Sequence, residues 1–435
     1  MNRLDQSINS KGHLMLGNID VVDLVREYKT PLYVMDQEYI ENQIKSFQNN
    51  FKSEKLITSI TYASKAFLCK GMCQFLSTKE IHLDVVSGGE LYTAISADFP
   101  RERICFHGNN KTIKELTEAL DANIGLIIVD HRQEYDLLRS LAQQHNKKVN
   151  VLLRLNPGID AHTHEYIQTS KHESKFGESI YSDETLELIE RMSKDQWLNL
   201  RGFHCHIGSQ IFESKSFEQS AETMLGYLLK LKNEIGFETK VLNLGGGFGI
   251  YYAKGDKPLD LNESLPKLTK TIESYCDLNK LELEEIMIEP GRSLVANSGT
   301  TLYTVGGTKK TYGGKEYIFV DGGMTDNPRP ALYQAVYEGV IANKMNKKHD
   351  RVMTVAGKCC ESGDMLIKDG LFPNVEAKDI LAVFGTGAYN YSMASRYNRH
   401  GVPSVVWVKN GNSQLMIQGE TYEDLIRNDR NFEER

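Results

Sequence analysis

The sequence has no Cys-x-x-Cys pair, no apolar stretch long enough to cross a bilayer and no surplus of basic residues. Its seven cysteines, Cys69, Cys73, Cys105, Cys205, Cys276, Cys359 and Cys360, are odd in number and scattered. Reduced thiols are therefore expected, and neither a disulfide framework nor a thiolate metal site is. The formal charge of −7 argues against general polyanion binding, so nucleic acid is not the favoured partner. Met1 to Leu16 is polar and lacks the basic-then-apolar pattern of a secretory signal, and with no span elsewhere a cytoplasmic protein without a membrane partner is expected. Internal repeats, long linkers and low-complexity tracts are also missing. What remains is an ordinary globular composition, 40% apolar and 25% charged, in 435 residues, more than one compact domain usually holds.

Short apolar runs alternate with segments of helical period such as Glu115 to Leu120 and Glu184 to Met192, which implies a parallel sheet. Eight runs are candidates: Ile57 to Lys65, His82 to Ser87, Ile104 to Gly108, Leu126 to Asp130, Asn150 to Asn156, Gly202 to Gly208, Val241 to Gly246 and Glu285 to Pro290. Eight strands close a (β/α)8 barrel of the TIM type, whose strand C-termini meet at one mouth. Polar and glycine residues gather at those ends, so one pocket is expected there. After Arg292 the texture changes to short strands and glycine-rich turns, with Thr300 to Gly306, Tyr317 to Asp321, Val352 to Gly357, Ile380 to Phe384 and Ser404 to Val408 as candidates. The expected organisation is an α/β chain, a barrel over 37–290 and a mostly β domain over 291–435, completed by 1–36.

Lys65 ends the first run, where an amine at a barrel mouth can form a Schiff base with an aldehyde cofactor; a solvated surface lysine is the plainer alternative. Leu244-Gly-Gly-Gly-Phe248 follows the seventh run, and side-chain-free amides there can cradle a phosphate or simply make a turn. Glu289, ending the eighth, is the residue type that keeps a pyridine nitrogen protonated, or else an ion-pair partner for Arg292 or a surface arginine. His204 and His206 alternate on one run and could serve a metal, stack on an aromatic ring, or be structural. Without an evident set of further ligands, no metal is expected.

Together these motifs resemble a known family. Tyr62-Ala-Ser-Lys65, Asp84-Val-Val-Ser-Gly-Gly-Glu90, His107-Gly-Asn-Asn-Lys111, Arg154-Leu-Asn-Pro-Gly158, Lys175-Phe-Gly177, His204-Cys-His-Ile-Gly-Ser-Gln210, Gly245-Gly-Gly247, Glu289-Pro-Gly-Arg292, Arg329-Pro-Ala-Leu-Tyr333, Cys360-Glu-Ser-Gly-Asp364 and Gly387-Ala-Tyr389 stand in the order found in diaminopimelate decarboxylases. Those are enzymes of the alanine-racemase-like fold that use pyridoxal 5′-phosphate. The resemblance spans about residues 30 to 410. It implies that Lys65 carries the cofactor, His206 stacks on its ring and Glu289 bonds its nitrogen. Asp84, Ser209, Gly245, Gly246, Gly247, Gly291, Arg292 and Tyr389 would complete the cofactor site. Arg292, Arg329, Tyr333, Glu361 and Tyr389 would face the substrate, and Cys360 would supply a proton. A homodimer with shared active sites, into which Cys360 and Glu361 reach from the partner subunit, is implied by the same resemblance.

The implied reaction is decarboxylation of meso-2,6-diaminopimelate to L-lysine and carbon dioxide, the last step of lysine biosynthesis. Glutamate at position 289 favours decarboxylation over racemisation, for which arginine is typical at that site. Arg329 suits a distal carboxylate, which an amine-only substrate does not carry. The alternatives are a decarboxylase of carboxynorspermidine, D-lysine or D-ornithine, and an inactive regulatory homologue. Two departures from the family pattern, Ala356-Gly-Lys-Cys359 and Met324-Thr-Asp-Asn-Pro328, change local loops without removing a functional residue.

Overall fold

The computed structural model describes residues 7–159 and 174–433. The chain forms two compact units, one of Gln43–Ile250 and Lys257–Leu294, the other of Met1–Asn42, Tyr251–Asp256 and Val295–Arg435. The short Tyr251–Asp256 segment, inside the range expected for the barrel, thus groups with the second unit.

In the first unit all eight candidate runs form parallel strands: β1 (Ile57–Ala63), β2 (His82–Val85), β3 (Ile104–Phe106), β4 (Leu126–Val129), β5 (Val149–Asn156), β6 (Leu198–His204), β7 (Val241–Asn243) and β8 (Glu285–Ile288). Each pairs with the next, and β8 pairs back onto β1 from Glu285 opposite Ile57 to Ile288 opposite Ile60, which closes the barrel. Cys105, Ile128, Leu152, Val241 and Met287 pack together as a buried cluster contributed by five different strands. Burying such side chains fully is worth about 1.5–3 kcal/mol each, which helps fix the register of the short strands. Gly202 lies at a bulge between β5 and β6, and a Cβ there would overlap the carbonyl oxygen of Val241. Glycine therefore lets β6 and β7 approach closely.

Several helices start where a polar side chain caps them. Thr112 and Glu115 form a reciprocal capping box on Ile113–Ala122, which ends at Asn123 in the left-handed region and buries Leu116, Ala119 and Leu120. Ser87 caps Gly88–Ser96 directly after β2. Among the described residues no helix is long and apolar enough to cross a membrane.

The second unit is mostly β, and its organising element is the long strand Gly299–Lys310. The N-terminal strand Leu32–Asp36 lies antiparallel to its first half and parallel to Ser404–Lys409. Ile380–Phe384 pairs with the same half, and Glu316–Val320 with the other. Leu32, Val34, Leu302, Ala382, Val406 and Val408 form the core between these strands and the helix Val21–Tyr28. All five strands expected after Arg292 are present, but Gly339–Ile341, Met365–Phe372 and Asn412–Ile417 were not foreseen. The last pairs with Ser404–Lys409 through Asn410 and Gly411, both at positive φ, so the Asn-Gly dipeptide is the hairpin signal that apolar runs alone do not reveal.

Candidate active site

The motif residues lie in the last positions of the strands or just beyond them, which places them on the C-terminal rim of the barrel. Lys65 sits in the turn Ser64–Ala66 directly after β1, with its side chain exposed. Asp84 is on β2, His107 follows β3, His204 ends β6, and Glu289 follows β8; all four are buried. Glu289 is the centre of this group. Its Oε1 accepts from Asn243 Nδ2 at 2.8 Å and lies 2.9 Å from His107 Nε2, and its Oε2 is 3.1 Å from His204 Nε2. The salt bridge to arginine considered from sequence is therefore replaced by two histidines and an amide. The rings of His107 and His204 meet edge to face at 4.9 Å, and the nitrogen and oxygen atoms of the three residues lie within 4.8 Å of one another.

Burial pushes the Glu289 carboxyl up, but the two histidines and their hydrogen bonds outweigh it and hold the group well below the ordinary carboxylate range. Burial likewise drives His204 down to about 4, so this imidazole is neutral at pH 7. Burial also opposes the charged form of His107, yet the carboxylates of Asp84 and Glu289 raise it above its ordinary value. Asp84 is raised by burial and by Glu289, against the pull of His107 and Lys65. The group thus carries a negative charge at Glu289, and that charge in turn favours the protonated form of His107.

The glycine triplet follows β7. Gly245 and Gly247 have φ of +69° and +109°, and a Cβ on Gly246 would overlap the carbonyl oxygen of Glu289, so the backbone here requires glycine. Gly245 N–H donates to Asn243 Oδ1 at 2.9 Å, and Gly246 N–H donates to His206 Nδ1 at 3.1 Å. The second bond fixes the tautomer, because a neutral imidazole accepting at Nδ1 carries its proton on Nε2. Burial, with Lys65 and Arg154 nearby, keeps His206 well below the usual imidazole range. Gly291 packs against Ala63, where a Cβ would crowd that side chain, and Arg292 Nη2 donates to Ser209 Oγ at 3.1 Å. Lys65, Asp84, His206, Ser209, Gly245 to Gly247, Glu289, Gly291 and Arg292 are accordingly gathered at one rim.

Some residues of that rim had no role in the sequence reading. Asn243 closes β7 and is fully buried, joining Glu289 to the first glycine amide. Its signal was a polar residue at the end of an apolar strand, one position before Leu244-Gly-Gly-Gly. Arg154 on β5 is partly buried, with its guanidinium over the ring of Phe176 at 4.4 Å and 3.8 Å from Asp130. Lys111 pairs with Glu134 at 2.5 Å and donates to the carbonyls of Gly108 and Ile128 at 2.7 Å each. All three of its protons are used, which makes it a structural cation in the loop after β3.

In the second unit Arg329, Tyr333 and Tyr389 come together. The guanidinium carbon of Arg329 lies 5.4, 5.5 and 5.8 Å from the ring centres of Tyr252, Tyr333 and Tyr389, and Nε donates to Tyr337 Oη at 2.8 Å. Tyr252 and Tyr337 were not foreseen. The arginine is buried, and among the described residues no carboxylate pairs with it. Aromatic faces stabilise a cation only in part, so this charge is suited to receive an anion.

Cys360 and Glu361 lie elsewhere in that unit, both exposed on the loop after Arg351–Ala356. Asp364 organises this loop, accepting from the backbone N–H groups of Cys359 at 2.9 Å and Met324 at 2.7 Å. Cys360 N–H donates to Asn398 Oδ1 at 2.8 Å, and the Glu361 carboxylate accepts from Ser362 Oγ and Gly363 N–H of its own loop. Cys359 is half-buried, and burial together with Asp364 pushes its thiol up to about 11. The segment bends here and is not extended, so simple alternation of side chains does not describe the pair.

A family model described as pyridoxal-dependent decarboxylase, pyridoxal binding domain, matches residues 37–296. Diaminopimelate decarboxylase of Bacillus subtilis (strain 168) is 48% identical over 424 residues, which is 98% of this chain and 97% of that protein. The enzyme of the same name from Halalkalibacterium halodurans is 47% identical, over 97% of this chain and 96% of that protein. The crystal structure of diaminopimelate decarboxylase from M. jannaschii in complex with L-lysine matches with a TM-score of 0.91 at 34% identity, covering 98% of this chain and 97% of that one.

Proposed function

Because the chain belongs to the pyridoxal-dependent decarboxylases, in their diaminopimelate decarboxylase branch, we propose that it converts meso-2,6-diaminopimelate to L-lysine and carbon dioxide. The observation that carries this reading is Glu289, a buried carboxylate kept ionised at the barrel mouth beside a glycine cradle and an exposed lysine. Those groups fit pyridoxal 5′-phosphate. Bound there, the cofactor supplies an electron sink for the charge left at a carbon that loses carbon dioxide.

The chain's own residues divide the remaining work. The Lys65 amine would hold the cofactor at its aldehyde carbon, with release of water, and Glu289 would keep the proton on the ring nitrogen through opposite charge. The amides of Gly245 to Gly247, with Ser209, Gly291, Arg292 and Tyr389, receive the phosphate, while His206 lies against the ring and Asp84 sets the charge beside Lys65. Arg329, with Tyr333 and Tyr389, takes the distal carboxylate of the substrate, and Glu361 takes its ammonium. Arg292 also faces the substrate. Cys360 Sγ delivers the proton that replaces the lost carboxylate. In this reading the protein is a cytoplasmic homodimer in which Cys360 and Glu361 serve the partner's site, and it catalyses the last step of lysine biosynthesis.

The test is product analysis. Purified protein supplied with pyridoxal phosphate and meso-diaminopimelate should release carbon dioxide and L-lysine in equal amounts. Turnover of D-lysine, D-ornithine or carboxynorspermidine with none of diaminopimelate would reject the substrate assignment.

A further inference from the structure

An ionised carboxylate offers about four acceptor positions, two on each oxygen. At Glu289, Oε1 meets Asn243 Nδ2 and His107 Nε2, and Oε2 meets His204 Nε2. Among the described residues these are the three side chains on it. We infer that His107, His204 and Asn243 are positioning residues that turn Glu289 so that one acceptor position, on Oε2, remains for the ring nitrogen of the cofactor. The inference rests on the cofactor reading above and adds to it which oxygen serves, and what holds it there.

The proton inventory supports the arrangement. His204 Nδ1 is buried with no hydrogen-bond partner among the described residues, which a neutral ring bearing its proton on Nε2 tolerates and an imidazolium does not. His107 is the member whose charged form is favoured. It faces Asp84 on β2, Glu289 after β8, His204 on β6 and Arg154 on β5, while Lys65 and Glu90 act on Asp84 from beyond. The nearer carboxylates outweigh burial and Arg154, so the charged form of His107 is favoured more than in an ordinary histidine, and Glu289 stays ionised.

The consequence is a carboxylate that cannot rotate without breaking the Asn243 bond on one oxygen and the His204 bond on the other, and whose basicity is further reduced by the His107 imidazole 2.9 Å from Oε1. It can attract a ring N–H without removing its proton. Asn243 carries the same restraint to the phosphate end, since its Oδ1 accepts from Gly245 N–H while its Nδ2 holds Glu289. Ring nitrogen and phosphate would then be gripped by groups that move together.

The experiment uses full-length protein and pyridoxal phosphate. Nitrogen-15 NMR of histidine-labelled protein without cofactor should show one histidine, assigned by its loss in His107→Gln, titrating above pH 6.5. Another, lost in His204→Gln, should remain neutral with its proton on Nε2 down to pH 5. His107→Leu should raise the dissociation constant for pyridoxal phosphate at least tenfold, as expected for a lost charge-assisted contact. His107→Gln, which keeps a donor but no charge, should come close to wild type at pH 8 and fall below it at pH 6, where only the wild-type side chain carries a charge. A His107 that is neutral at pH 6.5, or variants whose affinity and pH dependence match the wild type, would overturn the positioning role while leaving the cofactor reading intact. Wild-type protein that retains no pyridoxal phosphate defeats both, and the NMR arm separates the cases because it needs no cofactor.

Discussion

The Asn243 side-chain amide donates to Glu289 Oε1 at 2.8 Å, and the other end of the same amide accepts from Gly245 N–H at 2.9 Å. A residue with no reactive chemistry of its own thereby links the carboxylate after β8 to the glycine loop after β7. The link is local in space but spans 46 residues of chain, so it depends on the parallel pairing of β7 with β8 from Val241 opposite Glu285 to Asn243 opposite Met287.

Asn243→Ala should leave both ends of this link unmatched in a buried site. A lost buried hydrogen bond of this kind typically costs about 1–3 kcal/mol, so thermal unfolding should move down and pyridoxal phosphate should dissociate faster. Asn243→Asp, which keeps the acceptor for Gly245 but sets a second carboxyl against Glu289, should hold cofactor no better than the alanine variant. Cofactor release measured by stopped-flow absorbance checks both.

Lys65→Ala should abolish turnover and covalent cofactor attachment while the fold persists, because the side chain is exposed in the turn after β1 and supports no packing. Borohydride reduction followed by peptide mass analysis should find the cofactor on the Lys65 peptide of the wild type. Finding it on a different lysine would reject this residue.

His204 makes stability depend on pH in a definite direction. Its folded value of about 4 lies below the ordinary 6.5, so between these limits the unfolded chain binds the extra proton and the fold does not. Its contribution is complete above pH 6.5 and lost as pH falls towards 4; at about 1.4 kcal/mol per unit it amounts to roughly 3 kcal/mol. Glu289, lowered from 4.5, adds a loss of the same sign below that. Asp84 and Asp326, raised to about 6 and about 7, act in the opposite sense, so the signature of His204 is a difference: over pH 6.5 to 4 wild type should lose stability relative to His204→Gln. Parallel curves for the two proteins would show that His204 is not the group responsible.

The barrel was legible because each of its eight strands is an apolar run that ends in polar or glycine residues, and those ends are where Lys65 and Glu289 lie. What the sequence concealed were contacts between strands. Nothing in the local pattern says that His107 and His204, 97 positions apart, meet edge to face over one carboxylate. Tyr252 and Tyr337 were hidden for the same reason, since a tyrosine next to an arginine leaves no periodic trace. Met365–Phe372 was missed because Lys368, Asp369 and Gly370 interrupt its apolar character, with Asp369 at positive φ beside an irregular register.

Cys360→Ala should slow product formation with little effect on cofactor binding, whereas Cys359→Ala should disturb the loop more than the chemistry. Cys360 is exposed and anchored by its backbone to Asn398, which leaves the thiol available. Cys359 is half-buried beside Asp364, with its thiol raised to about 11 and so a poor acid at neutral pH. Single-turnover rates for the two variants, with cofactor affinity measured alongside, check this; equal losses in rate would remove the distinction between them.

Substrate choice should depend on Arg329 more than on any barrel residue, because Lys65, His206 and Glu289 serve chemistry that every diamino acid shares. Arg329 is buried among Tyr252, Tyr333 and Tyr389 with one bond to Tyr337, and it has no carboxylate of the chain to neutralise it among the described residues. A distal substrate carboxylate would supply that missing charge, and losing a charge-assisted bond costs about 1.5–3 kcal/mol, roughly tenfold to a hundredfold in affinity. Arg329→Ala should therefore raise KM for meso-diaminopimelate by that factor, with cofactor absorbance unchanged. Arg329→Lys should recover only part, because an ammonium does not fork to a carboxylate. Lysine carries no distal carboxylate, so any slow turnover of it should be indifferent to the change. Equal harm to both substrates would mean that Arg329 holds the tyrosine cluster together and does not read the substrate.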